Sequence, residues 1–79
     1  MLENLKIKIC DHHLEADFGD KVVWIRGEPT ITGFVALSTS IETWKKPKNA
    51  KISADEKAEI IKAVTDKTRG TRWEVWFIE

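Results

Sequence analysis

The hydrophobic period changes once along this chain, and that change constrains the fold more than any other feature. Four short runs before residue 40 place apolar side chains at alternate positions, and only from residue 53 does the spacing lengthen to that of a helix. A period of two belongs to strands and a period of 3.6 to helices. Leu5, Ile7 and Ile9 alternate with Lys6, Lys8 and Cys10, and Leu14, Ala16 and Phe18 alternate with polar neighbours. The runs KVVWIR (Lys21–Arg26) and GFVALST (Gly33–Thr39) read as two further strands. A closing run, RWEVWFI (Arg72–Ile78), sets Trp73, Val75 and Phe77 on one face. The expected order is β-β-β-β-α-β. One helix can cover one face of a sheet, so the expected fold class is α+β, an antiparallel five-stranded sheet with one helix packed on one face.

Turn chemistry supports these boundaries. Gly19-Asp20 suits the tight primed turn of a hairpin between Phe18 and Lys21. Gly27-Glu28-Pro29 is expected to end the third strand, because proline fixes φ and removes a ladder donor. The helix opens on Ser53-Ala54-Asp55-Glu56, where serine and glutamate three residues apart form a capping box. Ala54, Ala58, Ile61, Val64 and Thr68, broadened by Ile60, form its expected apolar stripe, and packing is expected through Ala58, Ile61 and Val64. Gly70 is the expected stop. Both faces of the final strand carry large apolar groups, so it is not expected to be a solvated edge.

With 79 residues, the chain makes one domain, spanning 1–79. A domain this small needs bulky side chains for its core, and four Trp and three Phe supply them. Thirteen basic residues balance thirteen acidic ones, which disfavours a general nucleic-acid binder. The charges are nevertheless segregated. Residues 1–20 hold five acids (Glu3, Asp11, Glu15, Asp17, Asp20) against two lysines, and residues 45–51 hold four lysines and no acid. A single cysteine precludes an intrachain disulfide, no apolar run is long enough for a membrane helix, and the start MLENLKIKIC lacks signal-peptide regions. A cytoplasmic protein with no membrane contact is expected.

No constellation calls for catalysis or a cofactor. Cys10-Asp11-His12-His13 offers four contiguous metal ligands, but zinc sites draw paired ligands from two separate segments, and the chain has no further Cys or His. The same cluster lacks the separate orienting and oxyanion groups of a nucleophilic site. No catalytic residue, metal or cofactor is therefore assigned. Binding is the remaining class. Trp44 stands beside Lys45, Lys46 and Lys48, with Glu42 just before it. An aromatic among lysines can act as an interface anchor or can stack a base while the lysines neutralise phosphate. Trp24 and Trp76 lie on strand faces with few apolar neighbours and would form an interaction patch if exposed together. An unpaired sheet edge would permit a homodimer.

From Gly33 to Val64 the chain resembles the immunity protein 74 family of bacterial polymorphic-toxin systems. The residues that carry the resemblance are the strand GFVALS, then Ile41-x-x-Trp44-x-x-Pro47, then Ile52-Ser53-x-x-Glu56-Lys57-x-x-Ile60-Ile61, with the closing Trp73-Glu74-Val75-Trp76-Phe77 also fitting. The resemblance implies a stoichiometric inhibitor that binds a cognate protein toxin and contributes no catalytic residue. Two surfaces compete for that role. One is the Trp44–Lys48 segment, matched to an acidic partner; the other is the acidic hairpin with Asp11, Glu15 and Asp17, matched to a basic one. The alternative function is a small nucleic-acid-binding or regulatory module using Trp44 and the lysines.

Overall fold

A computed structural model describes residues 5–78. Glu3, one of the N-terminal acids, lies outside them. The strands are β1 (Lys6–Ile9), β2 (His13–Asp17), β3 (Val22–Thr30), β4 (Gly33–Leu37) and β5 (Glu74–Ile78), and the helix α1 spans Ala54–Thr68. The expected element order holds. A single turn of 3-10 helix at Ser38–Ser40 follows β4 where the sequence suggested two more strand residues.

The five strands lie in the sheet in chain order. The first three pairings are antiparallel, but β4 and β5 run parallel, so the sheet is mixed rather than antiparallel throughout. The reason is topological. Tight turns join consecutive antiparallel strands, whereas the chain between β4 and β5 passes through α1, and such a crossover returns it in the same direction. β5 is consequently an outer strand of the sheet, not the sheltered one its two apolar faces suggested. Trp73, set by alternation on the same face as Val75 and Phe77, precedes β5 and is 48% exposed.

β3 also departs from expectation, because it runs through Gly27-Glu28-Pro29 instead of ending there. Its first half pairs with β2 (Asp17↔Val22 to His13↔Arg26) and its second with β4 (Gly27↔Ala36 to Thr30↔Gly33). Gly27 marks the exchange. A Cβ there would fall on the Val35 carbonyl oxygen and lie 2.6 Å from Phe34 Cε1, so only glycine lets β4 approach. The Gly27 N–H donates to the His12 carbonyl at 3.0 Å, on the β2 side. Pro29, two residues on, presents its nitrogen to that same side, where β2 has already ended. Its missing donor therefore costs no ladder bond.

The core lies between one sheet face and α1. Ile7, Ala16 and Val23 form one row and Ile9, Leu14 and Ile25 the next, while Phe34 and Val75 form a separate row with Pro29 across the second half of β3, β4 and β5. The helix contributes Ile60, Val64 and Thr68, with Ile61 and Ala63 half-buried. Ala54 and Ala58, assigned to the buried stripe from sequence, are exposed. The helix is rotated so that its branched side chains take the core, because they bury more apolar area than alanine.

The capping box forms as expected: Glu56 N–H donates to Ser53 Oγ at 3.1 Å and Ser53 N–H donates to Glu56 Oε1 at 3.0 Å. Lys21 Nζ, in the β2–β3 hairpin, reaches Glu56 Oε2 at 3.1 Å. The bond from the Ser53 backbone, followed by that from Lys21, holds the Glu56 carboxyl below the ordinary glutamate value. Gly70 adopts φ +75° just past the helix, the left-handed conformation of a helix stop. The buried Thr68 hydroxyl donates to the Val64 carbonyl at 2.8 Å and accepts from Val75 N–H at 3.0 Å, joining the helix end to the outer strand.

Candidate protein-docking face

The helix covers one face of the sheet and leaves the other open. Register rows on the open face run Lys8, Glu15, Trp24 across β1 to β3, and Glu28, Val35, Trp76 across β3 to β5. Leu37 and Ile78 are neighbours on the same face. Trp24, Leu37, Trp76 and Ile78 are all among the exposed large apolar side chains. Trp24 and Trp76 thus share a face, but they belong to different halves of it, with Arg26 and Glu28 between them along β3.

Two depressions mark this face. The larger, of about 800 Å³, has Val35, Leu37 and Ile78 as its apolar floor and Arg26, Glu28 and Glu42 among its polar walls. The smaller, of about 380 Å³, lies between β3 and the 42–49 segment, with Trp24, Arg26, Lys45 and Lys48 among its lining groups. Arg26, Ser40 and Glu42 border both, so the two adjoin. Ser40 fixes their common border, since its Oγ accepts from Arg26 N–H at 2.9 Å and donates to the Leu37 carbonyl at 2.7 Å.

Trp24 is 42% exposed yet held from several directions. Its indole Nε1–H donates to Glu15 Oε1 at 3.0 Å. The His13 ring stacks on it with centroids 4.4 Å apart, and Lys45 Nζ lies 4.1 Å from its ring centroid. An exposed aromatic already fixed in orientation has little entropy to lose when a partner covers it.

Trp44 has the opposite fate. It is 3% exposed and meets Phe18 edge-on, with ring centroids 6.2 Å apart. A buried ring cannot serve as an exposed anchor. Its burial instead pins the irregular segment after it. Trp44 N–H donates to the Ala50 carbonyl at 2.8 Å, Lys45 N–H to the Val22 carbonyl at 2.7 Å, and Val22 N–H to the Lys46 carbonyl at 2.9 Å. The segment is bridged to the start of β3 at Val22, and the side chains of Lys45, Lys46, Lys48 and Lys51 project from a fixed frame.

The remaining residues singled out from sequence divide as follows. Glu42 borders both depressions. Lys45 and Lys48 line the smaller one, whereas Lys46 is exposed outside it. Glu15 is committed to Trp24, and Asp17 Oδ1 accepts from Gly19 N–H at 2.7 Å within its turn. Asp11 is exposed in the β1–β2 turn, beside a shallow hollow with His12, Glu28 and Pro29. The acidic hairpin therefore spends two of its carboxylates internally. Among the described residues, Lys45, Lys46, Lys48 and Lys51 form no ion pair. Sequence reasoning gave His13, Leu37 and Ile78 no place in a binding surface. Extending the two-residue alternation of β3 past Gly27 would have aligned Arg26 and Glu28 with Trp24. Among the described residues, no three His, Cys, Asp or Glu side chains gather to hold a metal ion, and no helix is long and apolar enough to cross a membrane.

The chain is thus a small mixed sheet backed by one helix, with one face open and partly apolar. Residues 6–78 match the family model described as Immunity protein 74, and the chain belongs to that family. No curated protein and no solved structure matches it.

Proposed function

We propose that this protein neutralises a cognate bacterial toxin by binding it stoichiometrically through the open face of the sheet. Membership of an immunity-protein family supplies the class of partner. The observation that carries the surface is Trp24, exposed and immobilised by Glu15, His13 and Lys45 in the smaller depression, which adjoins the larger one with its apolar floor. Binding energy at protein interfaces concentrates in such aromatic anchors, with surrounding polar contacts excluding water. The strip formed by Val35, Leu37, Trp76 and Ile78 supplies further apolar contact in the second half of the face. The protein acts by occlusion, so its chemistry ends at binding.

The test begins with a pull-down of tagged protein from its own cells after nuclease treatment. The retained toxin is then titrated calorimetrically against wild type, Trp24→Ala and Trp76→Ala. The expected result is a defined stoichiometry and a loss of about 2 kcal/mol or more for Trp24→Ala, as at a hot spot. Equal affinities for wild type and both variants, all of them folded, would remove the open face from the interface.

A further inference from the structure

Resting on the docking surface proposed above, we infer that the smaller cleft receives a carboxylate of the partner, so that the toxin segment lying over Trp24 is acidic. Three basic residues line this cleft: Arg26 from β3, and Lys45 and Lys48 from the pinned segment. Among the described residues, none of the three has a carboxylate within ion-pairing distance. Their frame is preset. Arg26 is fixed by its main-chain bond to Ser40, and the lysine segment by the burial of Trp44 and its bonds to Val22. Lys45 is drawn over the Trp24 ring, which brings its ammonium to the margin of the cleft. Unpaired cations beside a fixed aromatic ring complement an acidic side chain flanked by an apolar one. Arginine adds the planar fork that carboxylates accept in pairs of hydrogen bonds.

The mixture of charges points to a protein segment and not to nucleic acid. Glu42 lies in the cleft itself and Glu15 is bonded to the indole edge of Trp24. A single carboxylate needs only one or two of these cations as partners and brings one negative charge near the two acids. A phosphate backbone places charges at regular, short intervals and would meet them. The zero net charge adds no long-range attraction for a polyanion.

The test uses the intact, isotope-labelled protein and three probes: a capped hexapeptide with alternating acidic and apolar residues, its amide counterpart with Asn and Gln in place of Asp and Glu, and a single-stranded oligonucleotide. The acidic peptide is expected to shift the Trp24 indole N–H and the amides of residues 43–49 in the millimolar range, and added salt should weaken it. Lys45→Glu combined with Lys48→Glu should weaken it at least about tenfold, the scale of one charged hydrogen bond. Equal shifts from the amide peptide, or no shift from the acidic one, would overturn the carboxylate assignment. Tighter binding of the oligonucleotide at the same resonances would overturn it in favour of phosphate. If Trp24→Ala weakens toxin binding while the acidic peptide shifts nothing, the docking face stands and only the carboxylate chemistry falls.

Discussion

Replacing Thr68 by valine tests whether one hydroxyl ties the helix to the outer strand. The two side chains have nearly the same shape, so no cavity is created. The change removes the acceptor for Val75 N–H, which lies 3.0 Å away in a residue that is 2% exposed. A buried donor left unsatisfied costs about 1–3 kcal/mol, and the added apolar burial offsets part of that, leaving about 1–2 kcal/mol. The donated bond to Val64 matters less, because a helical carbonyl keeps its own backbone partner. For a domain of this size the expected fall in Tm is about 5–15 °C. Thr68→Ser is the control, since it keeps the hydroxyl and loses one methyl group, costing about 1 kcal/mol. Thermal unfolding followed by circular dichroism gives the stabilities, and hydrogen exchange at the Val75 amide gives the local effect. If Thr68→Val matches wild type and its Val75 amide remains as protected, the hydroxyl does not bridge helix and strand.

Further substitutions separate core from surface and probe the helix start. Trp44→Ala should cost about 3–5 kcal/mol, and Trp24→Ala less than about 1 kcal/mol, in denaturant unfolding; a reversed order would place the wrong tryptophan in the core. Ser53→Ala should cost about 1 kcal/mol by the same measurement, and no loss would show that the capping box contributes nothing. Glu56 has a folded pKa below its ordinary value of 4.5, so its contribution is complete above that value and is lost as pH falls through the lower folded one. In acid titrations of stability, Glu56→Gln should therefore show a shallower decline than wild type below pH 4.5, and parallel curves would sever the link to Ser53 and Lys21.

The strands and the helix start were legible because each is written locally. Alternation marks β1, β2 and β4, Gly19 marks the hairpin, and Ser53 with Glu56 marks the cap. Sheet polarity was less visible, since nothing in the residues of β5 distinguishes a parallel neighbour from an antiparallel one. The direction follows from the helical crossover before it. Gly27 and Pro29 misled because their meaning depends on the strands beside them: in isolation they end a strand, but next to an absent β2 and a close β4 they belong in one. Trp44, a candidate anchor from sequence, lies in the core for a similar reason. Trp44 stands among lysines in the sequence, but its side chain turns beneath the segment that carries them. Trp24 lies in an apolar run, and its exposure became apparent only when the helix was seen to leave that face open.

β3 is shared end to end between two neighbours, β2 along its first half and β4 along its second. The proposed docking face is divided accordingly, with Trp24 on the β2–β3 hairpin and Trp76 on β5 beside β4. Changes at sites that share no contacts combine additively. Paired substitutions taken one from each half should therefore multiply in their effect on affinity, whereas pairs within a half should not. Such separability lets a lineage revise half of its recognition code while the other half continues to hold the partner, a route by which an inhibitor can follow a changing target without an unprotected intermediate.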